Sequence, residues 1–169
     1  AVGLMLVAFG FKVGAAPFHL AAPDAYSGAS SPVAGLLATA SKAMGFVALM
    51  RILVSVTMPV EGEAFWYTAI AVIAVVTMTW GNLAALTSSN PKRMLAYSSV
   101  SHAGYMLAGL AAIGSGLGSE EAIELVLTAI VFHLAVLVIF KFGAFLVLSL
   151  LETEGRSHRL EDLHGLARR

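Results

Sequence analysis

Apolar residues in this chain come in long, nearly unbroken stretches rather than in the one-sided stripe of a water-exposed helix. Residues 64–91 carry no charge, 94–119 carry none and one histidine, and 125–151 carry Lys141 as their only charge. A helix needs ~20 predominantly apolar residues to cross a bilayer. The pattern therefore predicts an all-α polytopic membrane protein with five spans, over about 1–26, 32–57, 64–88, 91–113 and 120–151. The remainder, 152–169, reads as a loop or an amphipathic surface segment, with Leu160, Leu163 and Leu166 at three-residue spacing.

Polar residues inside the spans refine this picture. The first holds Lys12, Gly14, Pro17 and His19, with Pro23 just after. Proline removes a backbone donor and clashes with the preceding turn. The helix is therefore expected to break between about Gly14 and His19, and irregular backbone at membrane depth survives only where protein or water satisfies it. The second span opens on Ser30, Ser31 and Pro32, a helix-entrance pattern. Lys42 then falls ~15 Å into it, half-way through a ~30 Å hydrocarbon core, while Arg51 lies far enough on to reach the surface. Trp66 and Tyr67 suit an interfacial belt at the start of the third span. Asn90-Pro91 opens the fourth, where Ala96, Ser98, Ser99, Ser101, Ala103 and Gly104 would let helices approach closely. Gly114 to Gly118 form a glycine-rich turn before the fifth.

Composition agrees. The chain is 59% hydrophobic and 12% charged, against ~25% charged in an ordinary soluble domain. Zero net charge argues against a nucleic-acid partner, and the absence of cysteine removes disulfides, thiolate metal sites and cysteine nucleophiles. Lys92, Arg93, Arg156, Arg159, Arg168 and Arg169 would share one side of the membrane, with Arg51, Glu61, Glu63, Glu120 and Glu121 on the other. The positive-inside rule then makes the first side, and the tail after 151, cytoplasmic. Lys92 and Arg93 read simply as flanking charges. The apolar run already under way at Ala1 is not read as a signal peptide, and both ends read as those of an interior piece of a longer protein.

Lys12, Lys42 and Lys141 are the chemistry-bearing residues. A charge at the centre of a spanning helix costs ~2.5–3.5 kcal/mol on insertion scales. Lysine suits proton carriage because burial disfavours its charged form and a nearby acid favours it, so a movable partner charge acts as a switch. The rival role is a tether that bonds to carbonyls and holds helices together. His19, His102 and His133 join the set, since imidazole can pass a proton between its two nitrogens. His133 and Lys141, eight residues apart, fall near one helix face with Leu137 between them, which predicts waters beside Leu137 linking the two. No spacing suggests a metal site, a phosphate loop or a nucleophile with its base.

The wording of these stretches carries a family resemblance. Phe11-Lys12, Ala16-Pro-Phe-His-Leu20, Ala22-Pro-Asp-Ala-Tyr26, Leu37-Ala-Thr-Ala-Ser-Lys42, Asn90-Pro-Lys-Arg93 and Ala96-Tyr-Ser-Ser-Val-Ser-His-Ala-Gly-Tyr105 together resemble the antiporter-like membrane subunits of respiratory complex I, especially the N type. The resemblance extends over the whole chain. Ala21 departs from it, where the family usually has tryptophan, as do Ser30-Ser31 in place of a common Pro-Thr. It implies a fold of about fourteen helices built on inverted five-helix repeats, each with a broken helix. It casts Lys12 as the broken-helix lysine and Lys42 as the connecting lysine. Lys141 and His133 become members of a polar axis. It further implies proton translocation within a NADH-quinone oxidoreductase of a prokaryotic inner membrane, with no cofactor in this chain. NADH or another donor and quinone would react elsewhere, and the partners would be other membrane subunits, neighbouring antiporter-like ones included, and the lipid bilayer. A Mrp-type sodium/proton antiporter subunit and a non-conducting structural subunit are the alternatives.

Overall fold

The computed structural model describes residues 2–57, 64–114, 119–155 and 159–166. Residues 115–118 of the glycine-rich turn, Glu61, Glu63, Arg156, Arg168 and Arg169 lie outside the described residues. Among those described, all regular structure is helical: α1 (Val2–Val13), α2 (Ala21–Gly28), α3 (Ser31–Leu36), α4 (Lys42–Ile52), α5 (Ala64–Leu86), α6 (Pro91–Ile113) and α7 (Glu120–Thr153). Three stretches, Ser31–Ser55, Phe65–Leu86 and Glu120–Thr153, are long and apolar enough to cross a membrane, and Gly3–Val13 is a shorter apolar helix.

The break in the first segment is present. Helical bonding stops at Val13 and resumes at Ala21, and the irregular stretch between satisfies its backbone in specific ways. Gly14 N–H donates to Phe11 O at 3.2 Å and Ala15 N–H to Gly10 O at 2.8 Å. Ala16 N–H donates across to the Thr77 hydroxyl of α5 at 2.9 Å, and Pro17, in a cis peptide, has no N–H to satisfy. Neighbouring protein thus supplies what a continuous helix would have supplied itself.

Helix α6 is the hub, packed against α2, α5 and α7. Its Asn90 side chain caps it, accepting from Lys92 N–H at 2.9 Å and Arg93 N–H at 3.3 Å. Twelve of its 23 residues are buried, and because many of these are Ala, Ser or Gly, α6 is as long as a span without being as apolar as one. The close approach is concrete. A Cβ on Gly104 would fall 2.7 Å from the Met78 backbone nitrogen, and one on Gly81 would fall 2.6 Å from that of Ser101. Helix α7 instead buries a single stripe, Ile130, Leu134, Leu137, Lys141, Phe145 and Leu148. These recur every three or four residues, as a packed helix face requires.

Two features differ from the sequence expectation, in the second segment and at Lys92. The second segment is not one smooth helix, because the wider turns of π-helix at Leu37–Ser41 and Leu53–Thr57 interrupt it. Such turns add a residue to the helical cycle and leave no compositional mark. Lys92 is more than a flanking charge: it donates to Ala29 O at 2.9 Å and pairs with Glu152, tying the α2–α3 link to the ends of α6 and α7. Arg93 pairs with Asp24 of α2 at 2.9 Å, an exposed contact worth little by itself. In the tail, read from the sequence as a loop or an amphipathic segment, Leu160–Leu163 make one 3₁₀ turn, docked by Leu160 N–H on Ser89 O at 3.0 Å.

Because the atom facing Gly104 is backbone and cannot rotate away, Gly104→Ala is expected to force α5 and α6 apart. The cost should be about 1–3 kcal/mol, the usual range for overpacking. A lowered thermal-unfolding midpoint of the purified full-length protein in detergent checks this, and an unchanged midpoint would contradict it.

Candidate functional site

Two apolar clusters divide the interior. One contains Val13, Ala15, Phe46, Leu49, Ile70, Ala103, Leu107, Leu134 and Leu137, and the other Tyr26, Ala34, Ala38, Ala96, Phe145 and Leu148. Along the sequence, a buried polar residue stands between members of the two sets in four places. His19 falls between Ala15 and Tyr26, Lys42 between Ala38 and Phe46, Ser99 between Ala96 and Ala103, and Lys141 between Leu137 and Phe145. Lys42 and Lys141 form, with the α6 carbonyls they reach, a small buried polar layer.

Within that layer the two buried lysines bind the same helix. Lys42, 3% exposed, donates to Ser99 O at 2.7 Å. Lys141, fully buried, donates to Leu95 O at 3.1 Å. Leu95 and Ser99 are four residues apart, hence one turn apart on one face of α6. A carbonyl oxygen has two lone pairs, so each can take a lysine without giving up its helical bond. Among the described residues neither lysine meets a carboxylate, since the ion pairs there are Lys92–Glu152, Arg93–Asp24 and Arg159–Glu161.

The six residues expected to act do not form one chain of contacts. His102 Nδ1 and His133 Nε2 are 3.1 Å apart, joining α6 to α7, and the Tyr105 ring stands edge-on to His102. The hydroxyl of Tyr105 in turn meets Asn82 of α5 at 3.0 Å. His133 therefore reaches His102 and not Lys141; Leu137, between them on α7, is buried in the apolar cluster. His19 is 4% exposed, lies edge-on to Trp80 and has no hydrogen-bond partner on either nitrogen among the described residues. Lys12 is exposed in this chain and donates to the Ser41 hydroxyl at 3.1 Å.

Sequence reasoning did not reach Ser41, the Leu95 and Ser99 carbonyls, or Asn82. Carbonyl partners leave no trace in side-chain identity, and Asn82 and Tyr105 are 23 residues apart on separate helices. Only the adjacency of Ser41 to Lys42 could have drawn attention to it.

With this geometry in place, comparison with known proteins places the chain. The model of the NADH:quinone oxidoreductase/Mrp antiporter transmembrane family matches residues 1–169. The chain belongs to that family. NADH-quinone oxidoreductase subunit N 2 of Roseiflexus castenholzii is 46% identical over 167 residues, covering 96% of this chain and 32% of the relative. Subunit N of Heliobacterium modesticaldum is 44% identical over 169 residues, covering all of this chain and 34% of the relative. The chain thus spans about a third of the length of the curated relatives it matches. Among solved structures, respiratory complex I from Thermus thermophilus with bound aureothin superimposes with a TM-score of 0.73 at 37% identity, covering 99% of this chain and 33% of that one. The Mrp complex from Dietzia sp. DQ12-45-1b gives 0.74 at 27% identity, covering 89% and 26%. The all-helical, broken-helix architecture is therefore part of the antiporter-like fold of this membrane family.

Gly14 lies beside the Lys42 ammonium. Its φ is +73°, and a Cβ there would lie 3.5 Å from the Lys42 Nζ. Left-handed backbone costs a side-chain-bearing residue roughly 1–2 kcal/mol. Gly14→Ala is expected to lower the thermal midpoint of the full-length protein by a few degrees, whereas Gly28→Ala, with open space around it, serves as the control that should not.

Proposed function

We propose that this chain forms proton-handling machinery of an antiporter-like subunit in a complex of the NADH-quinone oxidoreductase type. Protons would move among Lys12, Lys42 and Lys141 with His19, His102 and His133. Electron transfer from NADH, or another donor, to quinone would take place in other subunits of the complex. The partners are other membrane subunits, neighbouring antiporter-like ones included. The five segments, with α1 and α2 as the halves of one broken crossing, would cross a prokaryotic inner membrane and leave the tail after 151 on the cytoplasmic side.

One observation carries this reading: two fully enclosed lysines held by backbone carbonyls and by no described carboxylate. A lysine tied to a fixed countercharge stays charged. A lysine held by a dipole keeps its two protonation states close in energy, so a neighbouring charge can decide between them. A tether would gain from a full ion pair, while a carrier would lose its function in one.

The Mrp complex of Dietzia fits the chain as well as complex I does, with TM-scores of 0.74 and 0.73, so sodium/proton exchange is the second reading. The higher identity to the complex I chain, 37% against 27%, favours the first.

Lys42→Ala in the full-length protein within its assembled complex is expected to lower proton translocation roughly tenfold, by removing a proton donor–acceptor. Lys42→Arg separates the roles. Arginine keeps the charge and the carbonyl bond but cannot release a proton, so it should fail as alanine does. Restoration by arginine would mark Lys42 as a tether. Proteoliposomes with a pH-sensitive dye read protons, and sodium-22 uptake alongside tests the second reading.

A further inference from the structure

Several hydroxyls of this chain reach back to a preceding carbonyl: Thr39 donates to Gly35 O at 2.7 Å, Ser88 to Ala84 O at 2.8 Å and Ser101 to Ser98 O at 2.9 Å. Such back-bonding is the default for a serine or threonine within a helix. Ser41 is different. Its oxygen accepts from Lys12 Nζ at 3.1 Å, and its hydroxyl donates to no group among the described residues. Ser41 closes the wide turn Leu37–Ser41. Its oxygen is thus held against Lys12 while its proton is not bonded to a carbonyl of the preceding turn.

The next residue is Lys42, whose ammonium rests against Gly14, two residues beyond Lys12. We propose that Ser41 is a proton-transferring residue between Lys12, whose ammonium it accepts from, and Lys42, the next residue of the chain. The inference rests on the proton-handling reading above. In the step, the Lys12 ammonium gives a proton to a lone pair of Ser41 Oγ. The original Ser41 hydroxyl proton passes to one water, and that water gives a proton to the neutral amine of Lys42. Lys12 ends neutral and Lys42 charged, with serine and water regenerated. The water is required because adjacent residues on a helix point ~100° apart, so Ser41 and Lys42 cannot face each other directly.

The test compares Ser41→Thr with Ser41→Val in the full-length protein within its assembled complex, reading protons moved per turnover in proteoliposomes. These side chains share a shape and differ in the hydroxyl. Threonine is expected to retain at least half of the unsubstituted rate and valine less than a fifth. Equal behaviour of the two would overturn the proposal, because a packing role depends on shape alone. Ser41→Ala, which removes only the oxygen, repeats the comparison should the branched residues disturb the turn, and is expected to match valine. Lys12→Ala and Lys42→Ala run in parallel. If they move protons normally, the underlying reading fails; if they do not and Ser41→Val does, only the role of Ser41 fails.

Discussion

A charged amine inside hydrocarbon is the constraint around which this structure is organised. The effective penalty for burying an ion is several kcal/mol, and a hydrogen bond to a charged group returns about 1.5–3 kcal/mol. One carbonyl bond offsets only part of that cost, so Lys42 and Lys141 need a surrounding of dipoles. The carbonyls of Leu95 and Ser99, one turn apart on α6, provide its core. From this the packing follows. Helix α6 must be reachable from α4 and α7 at one depth, which requires small residues along it, and its Ala, Ser and Gly positions give that access.

The same constraint explains the layering. His19, Lys42, Ser99 and Lys141 are all buried, and along the sequence they stand between members of the two apolar clusters. A lower dielectric strengthens electrostatic interactions among buried groups. The broken first helix belongs to the same arrangement, because its irregular stretch brings Gly14 against the Lys42 ammonium. The Thr77 hydroxyl satisfies the freed Ala16 N–H, which lets the break persist at depth without an orphaned donor.

The clamp at one surface complements this interior. Lys92 holds the Ala29 carbonyl and the Glu152 carboxylate together, and Arg93 reaches Asp24. Two adjacent cations at the entrance of α6 thereby connect the second half of the broken helix with the end of α7. The irregular backbone between α1 and α2 is thus bounded by a fixed segment on its C-terminal side.

Much of this was legible in the sequence. Length and apolarity alone gave α5 and α7 to within two residues, and α6 from Pro91 to Ile113, because hydrocarbon sets the length of a helix and Asn-Pro sets its start. Gly14 and Pro17 announced the break, since neither residue suits a helix interior. That three lysines fall within the long apolar stretches was also plain, because position is counted along the chain. What they touch was not. Pairing of His133 with His102 rather than Lys141, capture of two ammoniums by α6 carbonyls, and the meeting of Lys12 with Ser41 all depend on the rotation of one helix against another. Rotation is decided by close packing at positions such as Gly81 and Gly104, and backbone carbonyls, identical in every residue, become partners only when packing turns them toward a lysine.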